Sequence, residues 1–142
     1  LTDFGVAHFA GESSGASIGE TTAHLIGTPA YMSPEAITGE AIDRRTDIFS
    51  AGVILYQLLT GEMPFTGSGT WTTMKSVLEH DPPPPSSINK NNSFASFFDK
   101  AVNKALAKKV DDRYQTASEL DISLRAALGR YSEDRIGPDR KN

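Results

Sequence analysis

The sequence predicts a mainly α-helical fold in one domain, and three observations lead to this expectation. Residues 46–59 carry apolar side chains on nearly every face, which is typical of a buried helix. Apolar residues between 94 and 106 recur at helical spacing, and Thr116-Ala117-Ser118-Glu119 matches a capping box that opens another helix. Since the 142 residues contain no strand-rich block or internal repeat, we expect the core to be built from helices.

Turn-forming residues separate the predicted elements in the first half of the chain. Residues 11–22 are small and polar without an apolar period, which predicts a surface loop. Residues 35–37 are expected to form one helical turn ended by Gly39, and Thr60-Gly61 to end the 46–59 helix. Met63-Pro64-Phe65 predicts a rigid turn before an amphipathic helix at 70–80.

In the second half, four prolines at 82–85 disfavour helix and favour an extended polyproline connector. Docking of this proline segment on an aromatic groove is the less favoured alternative. A single helix is predicted at 93–108, with Ser93 as its N-cap. The last helix is expected to run from 116 to about 128, and the charged, Gly- and Pro-containing residues after 130 predict a linker.

Composition excludes several classes of function. With 38% hydrophobic and 23% charged residues the chain has the composition of an ordinary globular domain, and its net charge of −4 argues against nucleic acid and anionic membranes as partners. The absence of cysteine excludes disulfides, and the three scattered histidines lack metal-ligand spacing. No segment approaches the roughly 18 apolar residues of a membrane span. Because the chain starts without Met, we expect it to be part of a longer protein.

Six short motifs occur in a fixed order along the chain. They are Asp3-Phe4-Gly5, Gly27-Thr28-Pro29, Ser33-Pro34-Glu35, Asp47-Ile48-Phe49, Met63-Pro64-Phe65 and Asp112-Arg113-Tyr114. In this order and spacing they resemble the C-terminal lobe of serine/threonine protein kinases, with residues 60–67 and 105–109 similar to the bacterial, eukaryotic-like branch. The resemblance implies an activation segment at 1–35, the helical C-lobe at 36–128 and a linker or tail at 129–142.

The first motif would belong to the nucleotide site. By resemblance, Asp3 is the ligand of the Mg²⁺ that bridges the phosphates of ATP, a role that suits a carboxylate. Phe4 would pack inward beneath a helix that precedes this chain, and Gly5 would permit an unusual backbone torsion. The alternative is that Asp3 is an ordinary residue of a surface turn.

A second group would position the protein substrate. Thr28 resembles the threonine that hydrogen-bonds the catalytic Asp and marks serine/threonine specificity, although a plain turn threonine is the alternative. Gly27, Pro29 and Tyr31 would shape the groove for the residue after the phosphoacceptor.

Two threonines are candidates for regulatory phosphorylation. Thr22 matches the family's spacing to Gly27 better than Thr21 does, and a phosphate there would order the loop by pairing with basic groups. Glu20 stands where some bacterial relatives have a second threonine, which argues against double phosphorylation. The alternative is that both hydroxyls stay unmodified in a solvated loop.

Three further residues would have structural roles. The resemblance implies a buried ion pair between Glu35 and Arg113 that holds the end of the activation segment on the helical base. Asp47 would accept backbone N–H bonds from the catalytic loop, although any carboxylate at a helix N-terminus gives the same pattern.

The resemblance implies a kinase that transfers the γ-phosphoryl of ATP to Ser or Thr hydroxyls of protein substrates, with Mg²⁺ and activation-loop phosphorylation. The catalytic Asp lies upstream, so we expect this chain alone to be inactive and to bind no cofactor tightly. The alternative is a non-catalytic helical interaction module derived from a kinase lobe. We expect the domain to be cytoplasmic, with room for a membrane anchor elsewhere in the protein, and to self-associate or exchange segments between copies.

Overall fold

The computed structural model of the chain describes residues 29–136, and all regular structure in this range is helical. The helices are α1 (Pro34–Thr38), α2 (Arg44–Thr60), α3 (Thr70–Glu79), α4 (Pro85–Ile88), α5 (Ser93–Ser96), α6 (Asp99–Ala105) and α7 (Ala117–Ile136). Two 3-10 turns, Pro29–Tyr31 and Val110–Asp112, complete the described part. The prediction of a mainly helical fold is therefore confirmed.

Helix α2 is the central element of the fold. The Asp43 side chain caps its N-terminus by accepting a hydrogen bond from the Arg45 amide, and Gly61 ends the helix with a φ of 76°. Phe49, Val53 and Tyr56 are buried on its inner side. Helices α4, α6 and α7 and the first 3-10 turn pack around α2.

Helices α2 and α6 cross at close range because Gly52 has no side chain. A Cβ placed on Gly52 would lie 2.9 Å from the Cβ of Ala105 and 3.0 Å from the Cδ2 of Leu106. Both partner residues are buried. Gly52 therefore serves close helix packing rather than backbone flexibility. The close approach of the two helices brings the residues that follow α6 near the start of α2.

The prediction of one helix at 93–108 is wrong. The chain forms α5 and α6 instead, and the N-cap is Asn92, whose side chain accepts from the Phe94 amide at 3.0 Å. The break at Phe98 places Asp99 at the start of α6, where its carboxylate accepts hydrogen bonds from the amide and hydroxyl of Ser86 on α4. This tertiary contact outweighs the continuous helical pattern of the sequence.

The predicted end of the last helix is also wrong, because α7 continues through Gly129 to Ile136. Tyr131 provides the reason: its ring packs edge-on against Phe94 and Phe97, with centroid separations of 4.7 and 5.7 Å. The tyrosine hydroxyl accepts a hydrogen bond from Arg135 at 3.0 Å. Residues 130–136 thus continue α7, which Tyr131 holds against the fold, and whether 129–142 lies outside the domain stays a prediction.

The start of α7 departs slightly from the expected capping box. Thr116 accepts a hydrogen bond from the Glu119 amide at 3.1 Å, as the pattern predicts, but the Glu119 carboxylate accepts from the Gln115 amide at 2.8 Å. The proline segment differs as well, since Pro85 is the first residue of α4. A proline is compatible with the first helical position because that N–H has no partner within the helix. None of the described helices is both long and apolar enough to cross a membrane.

Candidate functional site

Several predicted site residues precede residue 29 and lie outside the described part of the chain. These are Asp3, Phe4, Gly5, Thr21, Thr22, Gly27 and Thr28. The predictions about the Mg²⁺ ligand, the phosphorylation sites and the specificity threonine therefore stay predictions. The described residues hold the other candidates, namely Pro29, Tyr31, Glu35, Asp47 and Arg113.

Pro29 and Tyr31 lie in a 3-10 turn that is fixed on α2. The carbonyl of Tyr31 accepts a hydrogen bond from the Ser50 hydroxyl at 2.8 Å, and the phenol donates to the side chain of Gln57 at 2.9 Å. Pro29 is the buried residue of this turn. Because the same turn also packs against α3, its backbone is held between two helices.

The structure brings Glu35 and Arg113 together as a buried ion pair. The two guanidinium nitrogens Nη1 and Nη2 donate to Oε2 and Oε1 at 2.6 and 2.7 Å, which is a bidentate geometry. Only 3% of Glu35 and 1% of Arg113 is exposed. The pair thus connects α1 to the turn between the second 3-10 element and α7, across 78 positions of sequence.

Every N–H donor of Arg113 has an acceptor, which is what makes its burial tolerable. Besides the carboxylate, the guanidinium donates to the carbonyls of Ala107 at 2.7 Å, Arg45 at 3.1 Å and Lys108 at 3.2 Å. Its carbon lies 4.9 Å from the centroid of the Phe49 ring. Arg113 therefore joins the start of α2, the end of α6 and α1 at one point.

The Glu35 carboxylate is held in its charged form. Burial alone would raise its pKa, but the hydrogen bond and charge of Arg113, a backbone amide and the Thr46 hydroxyl together hold the pKa below its ordinary value. The Thr46 hydroxyl donates to Oε2 at 2.8 Å. The ion pair is consequently present at neutral pH.

Sequence reasoning missed the residues that support this pair. Thr46 is 1% exposed, and Ser33 is fully buried with its hydroxyl accepting from the Ala36 amide at 3.2 Å. The role of Ser33 could have been predicted from the sequence, because serine is a typical N-cap residue and proline is common at the first position of a helix. The roles of Thr46 and of the carbonyls of residues 45, 107 and 108 could not be predicted, since they depend on contacts between residues distant in sequence or on backbone geometry.

Asp47 lies in the first turn of α2 and accepts no hydrogen bond from another described residue. Its carboxylate is half-buried, and desolvation raises its pKa. At helical spacing from it come Ala51 and Ile54, both half-buried, and Leu58, which is 77% exposed. We call the apolar residues Ala51, Ile54 and Leu58 the α2 stripe. The stripe shows that the described helices cover only part of the surface of α2.

The sequence of the chain is similar to those of known protein kinases. The sequence profile of the protein kinase domain matches residues 1–122. The serine/threonine-protein kinase PknB of Mycobacterium tuberculosis is 42% identical over 124 residues, which cover 87% of this chain and 19% of that protein. The serine/threonine-protein kinase Pkn1 of Myxococcus xanthus is 39% identical over 132 residues, or 92% of this chain and 18% of that protein.

A solved structure has a similar fold. The twitchin kinase region from C. elegans superposes with a TM-score of 0.57 at 26% identity, over 70% of this chain and 16% of that one. The prediction of a helical lobe of the kinase-like fold is therefore confirmed. The chain spans about a fifth of the length of the bacterial relatives it matches.

Proposed function

This chain belongs to the protein kinase domain family, and we propose that the protein carrying it is a serine/threonine protein kinase of the bacterial, eukaryotic-like branch. It transfers the γ-phosphoryl group of ATP to Ser or Thr hydroxyls of protein substrates. The observation that carries this proposal is the bidentate Glu35–Arg113 pair, which fixes the segment after Thr28 on the helical base. The names of the bacterial relatives support the reaction class. We also propose that this domain acts in the cytoplasm.

The described residues have a positioning role in this proposal. Phosphoryl transfer depends on alignment of the substrate hydroxyl and stabilisation of charge, so the groove that holds the substrate must not move. The turn Pro29–Tyr31 is held by Ser50 and Gln57 on α2, and the ion pair holds the helix that follows. Thr28 precedes this fixed turn directly and would orient the catalytic Asp and the substrate hydroxyl.

Two residues would connect this part to the rest of the site. Asp3 would bind the Mg²⁺ ion that bridges the ATP phosphates, because carboxylate oxygens are the ligands that this ion prefers. Backbone N–H donors of a catalytic loop would offset the desolvation of the half-buried Asp47 carboxylate, which accepts no hydrogen bond from another described residue. Neither the loop nor its catalytic Asp is part of this chain.

A phosphoryl-transfer assay tests the proposal. We expect the longer protein to label a generic protein substrate from γ-labelled ATP on Ser and Thr, and Asp3→Asn to abolish labelling without unfolding the protein. Asp121→Asn, at an exposed carboxylate, is the matched control and should keep full activity. The 142-residue chain alone should show no activity and no micromolar Mg-ATP binding. Labelling that survives Asp3→Asn would contradict the proposed role of Asp3.

Regulation by phosphorylation is the finer part of the proposal. We expect phosphate on Thr22 in preference to Thr21, because Thr22 has the family's spacing to Gly27. Phosphopeptide mass spectrometry of the active longer protein locates the modification, and Thr22→Ala should lower activity while Thr21→Ala changes it less. Fully active protein that carries no phosphate on Thr22 would remove this switch.

A non-catalytic interaction module is the second candidate. The observation in its favour is Trp71 near the start of α3, which is 73% exposed although tryptophan is a common anchor residue in interfaces. The sequence before Leu1 separates the two functions, because an enzyme requires a His-Arg-Asp motif and a strand lysine there. Their absence would favour the module.

A further inference from the structure

A groove between α6 and α7 carries positive charge on an otherwise acidic chain. Its volume is about 650 Å³, and the side chains that line it include Lys100, Lys104 and Arg130. Asp112 is the only carboxylate among the lining residues. Since the whole chain has a net charge of −4, this concentration of cations is a local feature of the surface. We call it the α6–α7 groove.

The side chains of the three cations form no ion pair and no hydrogen bond within the described residues. Arg44, Arg45, Arg113, Arg125 and Arg135, by contrast, all donate side-chain hydrogen bonds in 29–136. Asp112 lies in the same groove without pairing to any of them. The groove therefore presents three charges that are available to a ligand.

The groove is also structurally fixed. Tyr114 is 7% exposed and shares a hydrogen bond of 2.6 Å with the hydroxyl of Ser123, which holds its ring between α6 and α7. The Lys104 ammonium lies 4.9 Å from the centroid of this ring, which limits where the ammonium can go. Phe97 lines the groove beside the lysines, and its own packing on Tyr131 anchors α7 there.

From this arrangement we propose that the α6–α7 groove binds an extended acidic peptide segment of a partner protein. Lys100 and Lys104 are one helical turn apart, which puts their Cβ atoms about 5–6 Å from each other. Alternate residues of an extended peptide are separated by roughly 6.6 Å, so an acidic–any–acidic pattern matches the two lysines. A third carboxylate reaches Arg130 on the opposite wall. The half-buried Phe97 ring offers apolar surface to the residues between the charges.

The size and charge of the groove favour a peptide over nucleic acid. A nucleic acid needs a basic stripe along its backbone, while the charges here are confined to one groove on a chain of net charge −4. Binding at this groove requires no phosphoryl transfer, because the groove is lined by residues from the range 97–130, and none of the lining residues is assigned to the phosphoryl-transfer site. Failure of the kinase proposal would leave it untouched, and the reverse also holds.

Fluorescence anisotropy with a defined probe tests the proposal. The probe is a fluorescein-labelled peptide Gly-Glu-Ala-Glu-Ala-Glu-Gly, and the control peptide has Gln in place of each Glu. We expect the full chain to bind the acidic probe in low salt and to leave the Gln peptide unbound. Affinity should fall as salt is added, because the charges at the groove are exposed to solvent. Absence of binding by the acidic probe overturns the proposal.

Two charge-reversal variants locate the binding. The groove variant Lys100→Glu, Lys104→Glu, Arg130→Glu should weaken binding by about tenfold or more, because each reversal replaces an attraction with a repulsion. The control variant Lys75→Glu, Lys90→Glu, Lys109→Glu changes the net charge equally at exposed lysines outside the groove and should bind within about twofold of the wild type. An equal loss in both variants would mean general charge attraction and would overturn the proposal.

A milder variant keeps the test decisive if the charge reversal disturbs folding. Lys104→Gln with Arg130→Gln removes two charges without introducing repulsion, and circular dichroism checks that its helix content is unchanged. Weaker binding of the acidic probe supports the groove, and unchanged affinity overturns it.

Discussion

Arg113 shows how one side chain can organise three distant segments. Its five N–H donors reach the Glu35 carboxylate and the carbonyls of residues 45, 107 and 108, so no donor is left without an acceptor. A buried pair of this kind contributes little net energy when intact, because desolvation of both charges offsets their attraction. Its importance lies in what happens when one partner is removed.

The first prediction concerns this ion pair. Glu35→Gln keeps the shape of the side chain but leaves the Arg113 charge buried without a counter-charge, so we expect the free energy of unfolding to fall by about 3–5 kcal/mol. Urea denaturation measures it. The matched control is Asp121→Asn, which removes the exposed Asp121–Arg125 pair and should cost less than about 0.5 kcal/mol. Equal losses of stability in the two variants would show that the buried pair is no more costly to break than an exposed one.

The pH dependence of Glu35 follows from the same contacts. Because its pKa is lowered in the folded chain, its charge stabilises the fold at neutral pH. That contribution is lost as the pH falls through the folded pKa. We expect the stability difference between the wild type and Glu35→Gln to shrink on acidification, as measured by denaturation midpoints.

The second prediction concerns Lys108, whose ammonium donates to the Val77 carbonyl at 2.7 Å and lies 4.3 Å from the centroid of the Phe65 ring. Burial lowers its pKa from 10.5 to about 8, although the charge of Asp81 opposes this. Between these two values the unfolded chain binds the proton more tightly, so stability rises with pH. The wild type should therefore gain stability relative to Lys108→Met from about pH 8 to 10.5.

Denaturation midpoints at several alkaline pH values measure this gain. Lys109→Met is the control, because Lys109 is an exposed lysine next to Lys108 in the sequence. A stability difference between the wild type and Lys108→Met that does not change with pH would contradict the lowered pKa.

At the scale of elements, local signals were predictable and long-range contacts were not. Gly39 and Gly61 end α1 and α2 in the left-handed conformation that the sequence suggested. The break between α5 and α6 depends on Asp99 reaching Ser86, and the extension of α7 depends on Tyr131 reaching Phe94. No periodicity within a segment encodes such contacts. The same holds for the site. The Glu35–Arg113 pair was predicted only through the resemblance to a family, and the contact of Thr46 with Glu35 was not predicted at all.

The third prediction compares two glycines inside helices. A Cβ placed on Gly129 in α7 would meet no atom within 4 Å, so Gly129→Ala should raise the free energy of unfolding by about 0.5–1 kcal/mol through helix propensity. Gly52→Ala should lower it by about 1–3 kcal/mol, because the new methyl group would overlap Ala105 on α6. Thermal denaturation of both variants measures the two changes. A common sign would contradict the distinction between an open and a crowded helix surface.

At the scale of the whole molecule, apolar side chains are exposed on several helices of the described part. Leu58 on α2 is 77% exposed, Trp71 on α3 is 73% exposed, and Ile136 and Ile122 on α7 are 68% and 64% exposed. Single exposed apolar residues are common in soluble proteins. The α2 stripe differs, because Leu58 continues a line with the half-buried Ile54 and Ala51.

The last prediction is that the 142-residue chain self-associates through the α2 stripe. Apolar surface removed from water contributes about 25 cal/mol per Å², so pairing two stripes should favour a dimer or a larger assembly at micromolar concentration. Sedimentation equilibrium measures the mass. Leu58→Glu should shift the chain toward monomer, because a charge on the stripe opposes its burial. Trp71→Ser, which removes an equally exposed apolar residue on α3, should leave the assembly unchanged. A monomeric wild type would mean that the stripe drives no association, and dissociation by Trp71→Ser alone would place the contact on α3.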